Sequence, residues 1–119
     1  MQNYHDIREE LGGDNAPPWF VIHHGDTILA LCIRQDMNPN IMDDFPEVWV
    51  GADGDLPVWG ERLFNHDGLL PLYVCFQPGG GYEYRGTYAR LRQNTPEELA
   101  AAQAQVPHSL SRIVFLKHI

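Results

Sequence analysis

Residues 69 to 92 constrain the fold more than any other stretch of this chain. A nearly unbroken apolar run, Leu69 to Phe76 (LLPLYVCF), turns through Gln77-Pro78-Gly79-Gly80-Gly81 and continues as Tyr82 to Arg92, rich in tyrosine and arginine. Such runs read as strands, and a proline- and glycine-rich connection joins them into a hairpin. A second hairpin is expected where Trp19 to His23 and Thr27 to Ile33 flank His24-Gly25-Asp26. Glu47 to Gly51 (EVWVG) has the Val-Trp-Val centre of a short strand, and Arg112 to His118 (RIVFLKH) returns as a last one.

Three segments change period. Tyr4, Ile7 and Leu11 fall on one side of a short helix closed by Gly12-Gly13, where glycine tolerates the left-handed cap. Val58, Trp59, Arg62, Leu63 and Phe64 recur at helical spacing, which predicts a helix from about Pro57 to Asn65. Thr95-Pro96-Glu97-Glu98 has capping-box spacing with proline in the first turn, so a helix runs from Pro96 to about Gln105 and Pro107 ends it. Strands interrupted by a few short helices, without regular alternation, predict an α+β fold: a curved, mostly antiparallel sheet or small open β-barrel with two or three short helices. At 119 residues, 44% hydrophobic and 20% charged, the chain suits one domain over residues 1–119 with a single core.

Charge narrows the partners. Sixteen Asp and Glu oppose eight Lys and Arg, and the excess is uneven: residues 1–67 hold thirteen acids and three bases, whereas residues 68–119 hold three acids and five bases. That balance disfavours nonspecific adhesion to nucleic acid or anionic membrane, while leaving room for a local basic face in the second half. Lys117 is the one lysine, and no Walker loop is present. No apolar run approaches the roughly 18 residues that cross a bilayer, and the N-terminus MQNYHDIREE lacks signal-peptide character, so a cytoplasmic location is expected. Cys32 and Cys75 lie inside apolar runs, the ordinary setting of a buried thiol.

Little in the sequence points to catalysis or metal. His23 and His24 are strand neighbours that tend to point to opposite faces, no CxxC or HxxxH spacing accompanies the cysteines, and GxSxG is absent. No cofactor is expected. The pairs Asp43-Asp44 and Asp53-Asp55 read as solvated loop charges. The aromatic residues are more suggestive. In an uninterrupted strand, Tyr82, Tyr84, Gly86, Tyr88, Arg90 and Arg92 share one face, and an aromatic, basic face suits stacking on a planar base. The same tyrosines equally serve as strand formers packed beside a helix, with Gly86 at a bulge. Trp19, Trp49 and Trp59 are open to two readings, core residues or an aromatic cage.

Taken in order, Glu47-Val48-Trp49-Val50-Gly51, Trp59-Gly60, Leu70-Pro71-Leu72-Tyr73-Val74 and Tyr82-Glu83-Tyr84-Arg85-Gly86-Thr87-Tyr88 resemble the succession VG, WG, LPVFV, WEYRGRY of PUA-like domains, the SRA, EVE and related readers that accompany modification-dependent restriction nucleases. The resemblance covers roughly residues 45 to 92, with Pro107 to Leu116 corresponding to a closing strand. It implies a sheet closed nearly to a barrel around a pocket that stacks an extruded base, reading without chemistry. The matching positions make Trp59, Tyr73, Tyr84 and Arg85 the expected ligand-binding residues, with Arg90, Arg92, Arg112 and Lys117 as backbone phosphate contacts. Expected partners are a modified nucleic acid, most readily DNA, or a modified nucleotide, and a separate nuclease subunit. Those readers normally carry a more basic surface, so the acidic first half leaves room for a free modified nucleoside or a small RNA. Two further readings stand beside it: an acidic inhibitor or immunity-type protein meeting a basic protein partner through Asp43, Asp44, Glu47, Asp53 and Asp55, and a small enzyme with a nucleotide-like substrate.

Overall fold

The computed structural model describes residues 1–119. Its elements run α1 (Tyr4–Leu11), β1 (Val21–His24), β2 (Thr27–Arg34), β3 (Glu47–Gly51), α2 (Leu56–Phe64), β4 (Leu70–Cys75), β5 (Glu83–Gln93), α3 (Pro96–Gln103) and β6 (Leu110–His118). The six strands form one sheet in the order β1-β2-β4-β5-β6-β3. Every neighbouring pair is antiparallel except β2 and β4. The architecture is α+β, a curled half-barrel with three helices. No helix is long and apolar enough to cross a membrane.

Alternation along the strands sorts side chains between two faces. Leu31 and Ile33 of β2, Val48 and Val50 of β3, Leu72 and Val74 of β4, and Val114 and Leu116 of β6 point inward onto Trp59 and Leu63 of α2, which fills the concave side. The alternate residues point outward into two smaller clusters. Ile22, Ala30 and Cys32 lie with Ile7 of α1, and Trp49, Ile113 and Phe115 lie with Ala102 of α3. Gly60 is the point of closest approach of α2 to the sheet: a Cβ there would come within 2.9 Å of Val50 Cγ1 and 3.2 Å of Arg112 Cδ.

Two bulges in β5 revise the expectation of a single aromatic and basic face. At Gly86 (φ 109°) the register against β4 shifts, and a second shift lies between Arg90 and Arg92 against β6. Each inserted residue reverses the in-out alternation. Tyr84 therefore stacks outside against Tyr73, whereas Tyr88 packs against the inner core. Arg90 lies over the inner Phe64, and Arg92 over the outer Phe115. Gly86 suits the bulge because its φ is disfavoured for L side chains and His118 Nε2 would sit 2.8 Å from an added Cβ.

Termini of the helices follow local chemistry. Asn3 caps α1 by accepting from the Asp6 N–H, and Gly12 (φ 74°) closes it. In α3 the capping box forms: Thr95 Oγ1 accepts from the Glu98 N–H, and Glu98 Oε1 accepts from the Thr95 N–H at 2.8 Å. Arg92 adds a two-pronged contact to the same carboxylate at 2.7 and 2.9 Å. The Arg92 guanidinium first, and the Thr95 N–H second, lower the Glu98 carboxyl from 4.5 to about 2. A carboxylate held below its unfolded value contributes stability that is complete above pH about 4.5 and fades as pH falls toward 2. Glu98→Gln is expected to flatten that part of the acid limb, and thermal melts across this window on both proteins check it. An unchanged acid limb would show that Glu98 is not among the groups that drive it.

Candidate ligand-binding site

β1 and β3 are the outer strands of the sheet, yet Val21 of β1 shares the inner cluster with Val48 and Val50 of β3. The curl thus turns the two edges toward each other. At this seam lies a cavity of about 540 Å³, lined by Pro17 to Phe20 leading into β1, Met37 and Asn38 between β2 and β3, Trp49 to Gly51 of β3, Asp53 to Trp59 at the start of α2, and His108 and Ser109 ahead of β6. Its size falls within the range of small-molecule sites, and all three tryptophans line it.

Each wall is fixed by identifiable bonds. Asn38, 7% exposed, accepts the Trp49 N–H at 2.7 Å and donates to the Arg34 carbonyl at 2.9 Å, tying the β2–β3 loop to the edge of β3. The segment before β1 is held by buried His23, whose Nε2 lies 2.9 Å from the Ala16 carbonyl, and by the Phe20 carbonyl, which accepts from the Cys32 N–H. Asp14 accepts from the Gly25 N–H at 2.7 Å, and this bond is the chief reason its carboxyl is held below the ordinary range. Gln103 of α3 donates to the His108 carbonyl and accepts from the Leu110 N–H, which sets the loop that closes the last side.

The three tryptophans play unequal parts. Trp59 is 6% exposed, with the Arg62 guanidinium 4.5 Å from its ring centroid and the His23 ring at 4.5 Å. Trp49 is equally buried and donates its indole N–H to Glu47. Trp19 is 50% exposed and meets Tyr4 edge-on, so it offers the most free ring surface. The two readings of the tryptophans are thus both partly realised, with Trp49 and Trp59 in the core and also along the cavity. The sequence reading placed Trp19 in a strand, but β1 begins at Val21 and Trp19 lies in the preceding loop.

Of the residues expected to bind ligand, Trp59 lines the cavity and Tyr73, Tyr84 and Arg85 do not. Tyr73 joins the outer cluster beside α1 and meets Tyr84 at a centroid distance of 5.4 Å. Arg85 pairs with Glu83 and reaches toward Phe76. The residues expected to touch phosphate are also dispersed. Arg90 donates to the His66 carbonyl and faces Asp67, Arg92 is engaged by Glu98, Arg112 packs along α2, and Lys117 is exposed beyond the inner core. No lysine or arginine lines the cavity.

The acidic residues of the protein-binding reading divide between two places. Asp53 and Asp55 line the seam cavity, whereas Asp43, Asp44 and Glu47 border an open depression of about 760 Å³ with Met42, Phe45, Leu91, Arg92 and Phe115. No group of three or more His, Cys, Asp or Glu side chains is placed to hold a metal ion. Cys32 and Cys75 are free and buried, and burial pushes the Cys32 thiol up to about 12. Comparison with protein-family models, curated proteins and solved structures returns no match.

Proposed function

We propose that this chain is a non-catalytic, PUA-like binding domain that takes a modified base or nucleotide into the aromatic cavity at the seam of its half-barrel. The observation that carries this reading is the convergence of Trp19, Trp49 and Trp59 with Phe20 on one concave site. Planar rings supply sequence-tolerant stacking, and the polar groups beside them, the Asp53 and Asp55 carboxylates and His108, supply edge contacts. Cleavage, where it accompanies reading, falls to a separate nuclease subunit. The absence of arginine and lysine from the lining favours a ligand held by its ring over a duplex held by its phosphates, so binding should depend only weakly on salt.

Titration of intrinsic tryptophan fluorescence with modified and unmodified nucleosides, and with short single strands and duplexes carrying them, tests the proposal. Trp19→Ala is the informative variant, because half of that side chain is exposed and its loss leaves the core intact. It should weaken binding by about 1–3 kcal/mol, the usual worth of one stacked ring. Tyr84→Ala, on the far face of the sheet, should leave binding unchanged. The opposite pattern would move the site to the outer Tyr73–Tyr84 pair and end the seam proposal.

A second reading, an inhibitor of a basic protein, draws on the depression where Met42, Phe45 and Leu91 are exposed beside Asp43 and Asp44. Apolar side chains ringed by carboxylates suit a basic, partly apolar partner. Asp43→Lys with Asp44→Lys would abolish that association and spare nucleoside binding.

A further inference from the structure

We infer that the ligand of the seam cavity is positively charged, a base made cationic by methylation of a ring nitrogen rather than a neutral modified base. The inference rests on the proposed base-binding role and names its substrate class. The cavity combines aromatic rings with two carboxylates, Asp53 and Asp55, and contains no lysine or arginine. Neither carboxylate has an ion-pair partner. Asp55 stands at the N-cap of α2, yet its side chain makes no capping hydrogen bond. The N-terminus of α2 contributes about half a positive charge at the same place, which two full carboxylates outweigh.

The existing cations beside the cavity are already balanced. Arg62, over the Trp59 ring, pairs with Asp26 at 3.3 Å, and His23 has Asp14 at 4.0 Å. The negative charge left uncompensated is therefore that of Asp53 and Asp55, beside the exposed ring of Trp19. A cation over an aromatic face gains from the ring quadrupole, and the gain grows as water is excluded. An anionic phosphate placed among the same groups would be repelled, so the sugar-phosphate portion of any larger ligand must leave through the open mouth.

Isomeric nucleosides test the charge without changing size. N1-methyladenosine and N3-methylcytidine are cationic near neutral pH, whereas their isomers N6-methyladenosine and 5-methylcytidine are neutral. Fluorescence titration should show the cationic member of each pair binding at least about tenfold tighter. Asp53→Asn with Asp55→Asn should reduce that preference to about threefold or less while leaving the neutral isomers unaffected. Equal binding of both isomers overturns the charge inference and leaves the base pocket standing. Failure of all four nucleosides removes the base-reading proposal and this inference with it. Tighter binding of a trimethyllysine amide than of either cationic nucleoside would also overturn it, by assigning the aromatic and acidic cavity to an alkylammonium group.

Discussion

Truncating Leu63 to alanine is expected to destabilise the protein by about 2–5 kcal/mol, the cost of a large cavity in a packed core. Leu63 is fully buried (0% exposed) near the middle of α2. It lies in the cluster that unites β1, β2, β3, β4 and β6. Because α2 packs against β3, β5 and β6, its inner side chains are what the curled sheet closes around. Leu63→Ala removes apolar surface there and leaves a void with few mobile neighbours to collapse into it. Urea unfolding of the variant and the parent, followed by far-UV circular dichroism, checks the loss as a drop in midpoint. A change below about 1 kcal/mol would mean that α2 rests on the sheet without filling it.

Asn38→Ala should have the next largest effect, and it bears on the site. The side chain satisfies the Trp49 N–H and the Arg34 carbonyl from a nearly buried position. Alanine leaves both groups without that partner, and each buried polar group left unsatisfied costs about 1–3 kcal/mol. The damage should extend beyond stability, because this bond links the β2–β3 loop to the β3 edge that forms one wall of the cavity. Hydrogen exchange is the suitable measurement. The Trp49 amide should lose protection ahead of the inner strands, and nucleoside affinity should fall with it. Retained protection at Trp49 would show that water replaces the asparagine without loosening the seam.

Several elements were legible in the residues alone because their signals are local. The Thr95 to Glu98 capping box, the glycine stop after Leu11 and the turn at His24 to Asp26 all involve residues within one turn of each other, and α1, α3 and the β1–β2 hairpin form as expected. Boundaries moved by a few residues where packing decides them: α3 ends at Gln103 rather than Gln105, and β6 begins at Leu110 rather than Arg112, since Gln103 bonds to the Leu110 N–H. The helix expected from Pro57 begins at Leu56, with Asp55 as its cap.

The candidate site was less legible. A strand's alternation can be counted in sequence, but a bulge depends on the partner strand, and the two in β5 separated Tyr84 from Tyr88 and Arg90 from Arg92. Trp59 was singled out by its motif, whereas Trp19 and Trp49 were left between core and cage. Their shared signal was three tryptophans in a short chain, with nothing to say that they meet.

Composition, periodicity and turn chemistry sufficed to specify an α+β chain with a curved, mostly antiparallel sheet and three short helices, because those preferences act between residues near in sequence. The cavity arises only when the sheet curls around α2, since its walls come from five separate segments brought together by burial of the inner faces of β1 and β3. Curvature is a property of the whole sheet, summed over every strand pair and bulge, so the meeting of its two edges follows from long-range packing.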